Sequence, residues 1–284
     1  MTKFNNGLED FVKQFPDNKT EIKEWDFDFD KKNEGILSPS KVQYVVKGYN
    51  FKKPYPCKEE DLLLAHENNF IKKVKNQDYY DPESPAYDNI FYLARLAAGG
   101  AIKAAEERAF SLMRPPGHHA GKDFLGGFCY FNNLVIAVEY LGKKTLIIDI
   151  DAHHGNGTQD IIQDKNEVFY ISLHKNIYPG TGYKSEKNYR NHVFREEVGD
   201  DKYLETLDNI LKIDKEFDMI AVSAGFDGYK GDPLASLGLT SRGYYRIGQK
   251  IADLNLPVFC VLEGGYNPDK LGKNIDNFIQ GLMA

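Results

Sequence analysis

The stretch Leu146-Ile-Ile-Asp149-Ile-Asp151-Ala-His153-His154-Gly155 decides the fold prediction, because an apolar run ends there in two carboxylates and a histidine. Side chains alternate between the two faces of a strand, so Asp149, Asp151 and His153 are predicted to share one face. Two acids and an imidazole that converge in a buried place need a cation among them. Zinc accepts an Asp/His ligand set, and so do iron and cobalt. The stretch therefore predicts a metal site where a strand ends.

Outward from this stretch, short apolar runs alternate with helical patterns. The apolar runs predict strands at Thr145–Ile150, Val168–Leu173, Met219–Ser223 and Val258–Leu262. Helical spacing predicts helices at 90–107, Asn133–Leu141, Tyr203–Ile213 and Tyr244–Leu254. This alternation predicts an α/β fold with one mostly parallel sheet and helices on both faces. No linker divides the chain, so we expect a single domain over residues 1–284 with an irregular arm at 1–35.

Composition narrows the class of protein. The chain has 284 residues, of which 42% are hydrophobic, so it can bury a large core. The 36 basic and 42 acidic residues leave a net charge of −6, which disfavours nucleic acid as a partner. Cys57, Cys129 and Cys260 lie too far apart to suggest a disulfide framework. With no apolar leader and no long apolar run, we expect a cytoplasmic protein without membrane contact.

A third metal ligand is expected from another strand end. Asp227 follows the predicted strand Met219–Ser223 and precedes a glycine. An Asp before Gly is often only a turn residue. In open parallel sheets, however, ligands bind beyond the carboxyl ends of the strands, where Asp151 and His153 also lie. Three protein ligands with a fourth position open would be typical of a catalytic zinc site.

Two further motifs carry polar chemistry. In Arg114-Pro-Pro-Gly117-His118-His119, the prolines and glycine predict a rigid turn that presents two imidazoles for acid–base work. Asp149 and Asn156 are expected to orient these imidazoles from behind. In Leu262-Glu263-Gly264-Gly265-Tyr266-Asn267, the tyrosine is either an oxyanion stabiliser or a packed turn residue.

These motifs together resemble the zinc-dependent histone deacetylases and acetylpolyamine amidohydrolases, which share the arginase-deacetylase fold. The segments that match, in order, are RPPGHHA, GGFCYFNN, DIDAHHGNGTQD, SLHKNIYPGTG, SAGFDGYKGDP and LEGGYN. Asn156 and Glu263 make the chain similar to class II-like and prokaryotic members. The start of the chain departs from the family pattern, and only Asp81 and Glu83 match the acidic loop that contacts substrate.

The resemblance implies a role for each matching residue. Asp151, His153 and Asp227 would bind zinc, while His118 and His119 would act as the catalytic pair, backed by Asp149 and Asn156. Tyr266 would stabilise the oxyanion. A structural potassium ion is implied at Asp149, Asp151, His153, Ser172 and Leu173. The substrate tunnel is implied at Gly127, Phe128, Tyr178, Leu234 and Gly265.

Three functions are weighed. The first is a zinc amidohydrolase that removes an acetyl or other acyl group from a protein or peptide lysine, a polyamine or another small amine. The second is a binuclear arginase-like ureohydrolase, which would need carboxylates where Gly155 and Gly225 stand. The third is a non-catalytic acyl-lysine-binding protein, from which we would expect a lost ligand, histidine or tyrosine. The second function is disfavoured because both of those carboxylates are absent. The third is disfavoured because the predicted metal ligands, the catalytic histidines and the tyrosine are all present, so the first function is favoured.

Overall fold

Six parallel strands form one sheet in the computed structural model, which describes residues 49–284. The strands are β1 (Phe110–Ser111), β2 (Thr145–Asp149), β3 (Val168–Lys175), β4 (Tyr189–Phe194), β5 (Met219–Ala224) and β6 (Val258–Leu262). Their order across the sheet is β1-β6-β5-β2-β3-β4, and every neighbouring pair is parallel. The prediction of a parallel α/β fold is therefore confirmed. The arm predicted at 1–35 lies outside the described residues.

Helices cover both faces of this sheet. They are α1 (Glu59–Leu62), α2 (Asn68–Asn76), α3 (Ile90–Glu107), α4 (Asn133–Leu141), α5 (Asn156–Ile162), α6 (Gly199–Ile210), α7 (Ser241–Ala252) and α8 (Pro268–Leu282). Alternate residues of β2 enter separate cores: Ile148 packs with residues of α6, α7 and α8, whereas Ile147 packs with residues of α2, α3 and α4. Strands β2, β3, β5 and β6 are buried on both faces, which explains why they read as continuous apolar runs.

Several element boundaries differ from the predicted ones. Helix α7 begins three residues before Tyr244, because the Thr240 hydroxyl accepts the N–H of Gly243 and caps the helix there. The prediction missed β4, since only the end residues of this edge strand are buried and its middle is polar. Strand β2 ends at Asp149, and residues 151–153 form a bend. The alternation argument from an extended strand through His153 is therefore wrong for residues beyond Asp149.

The chemically unusual residues all follow carboxyl ends of the strands. The turn with the tandem histidines follows β1, the Asp151 segment follows β2, Asp227 follows β5, and Glu263 follows β6. Since β1, β6, β5 and β2 are successive neighbours, these segments meet at one edge of the sheet.

Among residues 49–284, no helix combines the length and the apolar character that crossing a bilayer requires.

Candidate active site

Asp151, His153 and Asp227 converge on one buried point beyond β2 and β5. The three residues each offer a ligand atom, and these atoms lie within 4.8 Å of one another. The Nδ1 atom of His153 is 2.6 Å from Asp227 Oδ2 and 3.1 Å from Asp151 Oδ1. Both carboxylates are fully buried. Nδ1 carries at most one hydrogen whether the ring is neutral or protonated, so it cannot fully satisfy two buried carboxylates.

This charge imbalance is the observation that fits a cation. Burial would lower the pKa of His153, but Asp227 and Asp151 raise it to about 11, which shows how strongly the two acids favour a positive charge at this point. Burial and the neighbouring Asp151 raise the pKa of Asp227 to about 7. A divalent metal would neutralise both acids and leave the imidazole neutral, and the donor set of two carboxylates and one imidazole suits zinc.

Main-chain donors hold the remaining oxygens of the two acids. Gly264 N–H donates to Asp151 Oδ2 at 2.8 Å, and Ala152 N–H donates to Asp227 Oδ1 at 2.8 Å. These bonds fix the carboxylate planes, so one oxygen of each acid faces His153. The ligand set is therefore organised in advance by the strand-end segments that surround it.

The tandem histidines lie beside this group and are bound by different partners. His118 Nδ1 is 3.2 Å from the carboxylate of Asp149, whereas His119 Nδ1 is 2.8 Å from the amide oxygen of Asn156. The two rings lie 4.1 Å apart, and both are nearly inaccessible to solvent. Tyr170 donates its hydroxyl to the same Asp149 oxygen at 2.8 Å. The structure thus brings together the four predicted residues and adds Tyr170, which sequence reasoning missed.

The different partners separate the protonation of the two rings. Burial alone would lower the pKa of His118, but the charges of Asp151 and Asp149 raise it to about 10. Burial and the neighbouring His118 lower the pKa of His119 well below its usual value. An amide oxygen accepts a hydrogen bond without adding a full charge, so Asn156 does not reverse this effect. The nearby acids therefore favour a proton on His118 more than on His119.

Aromatic rings lie around the tandem histidines and Tyr266. The rings of Phe128 and Tyr266 lie 5.9 Å apart, and those of His119 and Tyr178 lie 5.1 Å apart. Phe128 has a φ of 68°, a left-handed conformation that costs energy for a side chain of this size. A backbone held in that region points to a positioned side chain rather than a surface loop.

Two glycines permit close approach at this point. A Cβ on Gly127 would stand 2.4 Å from His119 Cδ2 and 3.0 Å from Tyr178 Cε1. Gly265 has a φ of 128°, and a Cβ there would stand 2.9 Å from Leu271 Cδ1. Both predicted tunnel glycines are therefore required by the close contacts around them.

Asp232 connects the rim to Tyr266 and was not identified from the sequence. Its Oδ1 atom accepts the N–H of Leu234 at 3.0 Å, and its Oδ2 atom accepts the N–H of Tyr266 at 2.7 Å. Leu234 itself is 40% exposed, and its place at the entrance stays a prediction. Asp81 lies beside Gly126 and Tyr178, since a Cβ on Gly126 would be 3.7 Å from Asp81 Oδ2 and 3.1 Å from the Tyr178 hydroxyl.

The residues predicted to bind potassium share Asp151 and His153 with the candidate metal ligands and add Asp149, Ser172 and Leu173. Asp149 and Ser172 are register partners of β2 and β3, and Ser172 and Leu173 are fully buried. The Ser172 hydroxyl is 2.8 Å from His174 Nδ1. The potassium site stays a prediction.

Arg114 was quoted in the sequence motif but received no role there. Its Nη2 atom donates to the main-chain oxygens of Glu263 and Gly265 at 3.1 and 3.0 Å. Its guanidinium carbon also lies 5.5 Å from the centre of the Tyr266 ring. Arg114 therefore joins the segment after β1 to the segment that carries Tyr266.

Comparison with known proteins gives consistent matches. A family model described as "Histone deacetylase domain" matches residues 32–282. A probable deacetylase of Methanothermobacter thermautotrophicus is 37% identical, over 78% of this chain and 76% of its own length. Acetylpolyamine amidohydrolase 1 of Pseudomonas aeruginosa is 35% identical, over 71% of this chain and 65% of its own length. The crystal structure of the HDA15 HD domain matches with a TM-score of 0.77 and 32% identity, over 82% of this chain and 74% of that chain. The matched range includes every site residue described above.

Proposed function

The chain belongs to the histone deacetylase family, and we propose that it is a zinc-dependent amidohydrolase that removes an acyl group from an amine. The acyl group is most simply acetyl, and the amine that of a lysine side chain or a polyamine-like substrate. The observation that carries this proposal is the position of the group Asp151, His153 and Asp227 beside two imidazoles whose Nδ1 atoms face different partners, the carboxylate of Asp149 and the amide of Asn156. Family membership establishes the general class of hydrolase, whereas the substrate and the roles of the residues are our proposal.

The proposed metal ligands are Asp151, His153 and Asp227. When bound there, a divalent ion would polarise an amide carbonyl and lower the pKa of water. The Nδ1 proton of His119 faces Asn156, which leaves Nε2 free to accept a proton from water and later deliver it to the leaving amine. His118 lies 3.2 Å from the Asp149 carboxylate, and a proton held there would favour the negative charge that develops on the substrate.

Tyr266 and the tunnel residues complete the proposed site. Burial raises the pKa of Tyr266 well above its usual value, so its hydroxyl keeps a proton to donate to the developing oxyanion. Phe128 and Tyr178 are proposed to flank the apolar stem of the substrate and exclude water, between Gly127 and Gly265. Leu234 and Asp81 would meet the part of the substrate that stays outside.

Two glycines argue against the binuclear ureohydrolase alternative. A Cβ on Gly155 would stand 2.4 Å from Asp149 Oδ2, and a Cβ on Gly225 would stand 2.2 Å from Asp151 Oδ2. These positions therefore lack both the extra carboxylates and the room for them. A potassium ion at Asp149, Asp151, His153, Ser172 and Leu173 remains part of the proposal. We also propose that the chain is a single domain and that its location is cytoplasmic. The three free, buried cysteines support the cytoplasmic location.

A turnover panel with the zinc-loaded protein tests the proposed function. Acetyl-lysine peptides, longer-acyl peptides and acetylated polyamines are compared by the amine they release, and arginine is included with urea as the readout. We expect amine release with one zinc per chain, and competition by a hydroxamate, which chelates zinc. Urea release with two metals would support the ureohydrolase. A zinc-loaded protein that binds acyl-lysine peptides without turnover would support the non-catalytic alternative.

A further inference from the structure

Glu263 is a fully buried carboxylate that lies behind the tandem-histidine turn. Its Oε2 atom accepts the N–H of Gly117 at 2.7 Å and the N–H of His118 at 3.1 Å. Its Oε1 atom accepts the hydroxyl of Ser223 at 3.1 Å. Two of these three donors belong to the turn that carries the imidazoles, so the carboxylate binds main chain of the catalytic segment directly.

The turn is also in close contact with the start of α4. A Cβ on Gly117 would stand 2.6 Å from Asn133 N and 2.8 Å from Phe131 O, so the main chain there lies against that helix. Glu263 adds two hydrogen bonds to the same turn. A turn held by both contacts has little freedom to shift, and a shift of the main chain at His118 would carry both rings with it.

The contact between the two segments is reciprocal. The Glu263 side chain binds main chain of the segment after β1, and the Arg114 side chain of that segment binds main chain at Glu263 and Gly265. Strands β1 and β6 are neighbours in the sheet, so both segments leave it side by side. This arrangement links the imidazoles to the segment of Tyr266.

We propose that Glu263 is a positioning residue whose hydrogen bonds to Gly117 and His118 hold the two imidazoles at their distances from Asp149 and Asn156. This inference rests on the proposed function, since it concerns the same site. The requirement is geometric, because the two bonds are made to one oxygen of the side chain. A side chain that keeps an oxygen there keeps the turn in place, whether or not it carries a charge.

Variants at this position separate geometry from charge. In Glu263→Gln, the amide oxygen can accept both N–H groups, and the amide N–H can donate to the Ser223 hydroxyl. In Glu263→Asp, the charge is kept, but the side chain is one methylene shorter and the bond of 2.7 Å to Gly117 is lost. Ser223→Ala is the matched control, because it removes a donor from Oε1 and leaves the bonds to the turn intact.

The experiment uses the zinc-loaded full chain and the best substrate of the panel, with kcat expressed per zinc-bound site. We expect Glu263→Asp and Glu263→Ala to lower kcat by about 10²-fold, the scale for a misplaced catalytic group, with KM and zinc content nearly unchanged. Glu263→Gln should keep kcat within about tenfold of wild type, and Ser223→Ala should keep it within about threefold. Both variants retain an oxygen that accepts the N–H groups of Gly117 and His118.

Each outcome decides the matter. A Gln variant as slow as the Asp variant, or an Asp variant faster than the Gln variant, would overturn the geometric role. A loss of zinc that accounts for the whole loss of turnover, so that kcat per zinc-bound site equals that of wild type, would overturn it too, because the residue would then act on the metal ligands. If Glu263→Ala does not fold, the ranking of Gln against Asp still decides. A wild-type protein without turnover would instead refute the proposed function, independently of the variants.

Discussion

Gly127→Ala is expected to damage catalysis while sparing the metal group. Gly127 has a φ of 54°, and an added Cβ would stand 2.4 Å from His119 Cδ2. Ordinary van der Waals contacts begin at 3.4 Å, so the imidazole and the new methyl group must separate by about 1 Å. The ring cannot make that movement freely, because its Nδ1 atom is bonded to Asn156 at 2.8 Å and Tyr178 lies against it.

The substitution Gly127→Ala is expected to affect both stability and kcat. The left-handed backbone costs an alanine about 1–2 kcal/mol of stability. A displacement of about 1 Å at a catalytic group lowers kcat by about 10²-fold. The zinc content should stay near that of wild type, because the contacts of an added Cβ are with His119 and Tyr178 rather than with His153. Stability and activity are therefore expected to separate in this variant.

Gly126→Ala is the matched control, because an added Cβ there meets Tyr178 Oη at 3.1 Å and φ is not in the left-handed region. The assay measures kcat, KM, zinc content and the thermal midpoint for both variants and wild type. We expect kcat to fall only in Gly127→Ala. A Gly127→Ala enzyme with kcat within threefold of wild type would refute the reasoning. Equal losses in both variants would show that the loop, rather than the contact with His119, is sensitive.

Four other changes have definite expected outcomes. Asp227→Ala should lose zinc, measured by metal analysis, because two protein ligands rarely hold it. Tyr266→Phe should keep zinc and lower kcat by about 10²-fold in steady-state assays. Asn156→Asp should raise the pKa of His119 and move the acid limb of the kcat/KM profile to higher pH, since a carboxylate replaces the amide at 2.8 Å. Burial lowers the pKa of His66 to about 4, below its ordinary value of 6.5, so the folded protein favours the neutral ring. The contribution of this ring to the free energy of unfolding is therefore complete above pH 6.5 and is lost as the pH falls towards 4. The expected loss is about 3 kcal/mol, measured by chemical unfolding.

Each of these has a contradicting result. Full zinc occupancy in Asp227→Ala would remove that residue from the ligand set, and unchanged turnover in Tyr266→Phe would remove the tyrosine from the oxyanion role. An unshifted profile in Asn156→Asp would show that His119 is not the titrating base. For His66, the control is His66→Gln, because the amide does not titrate in this range. If this variant loses as much stability between pH 6.5 and 4 as wild type does, His66 is not the group responsible.

Much of the site could be predicted because its residues follow strand ends. An apolar run that ends in Asp151 and His153, and another that ends before Asp227, is a local pattern that parallel-sheet topology brings to one edge. The resemblance to the deacetylase family then suggested the roles of the polar residues. Glu263 and Asp232 were not identified, because each acts through main-chain groups far away in sequence, for which a side-chain pattern gives no signal.

The sequence alone determined the alternation of strands and helices, because periodicity and burial are local properties. It thereby also indicated that the polar site residues lie at the carboxyl ends of the strands. The tertiary structure decided that His118 meets a carboxylate and His119 an amide, and that Gly264 donates to Asp151 across 113 residues. Such pairings depend on distances of a few tenths of an ångström between segments that only packing brings together. Those distances set the protonation of each imidazole, because electrostatic and hydrogen-bond energies change steeply over that range.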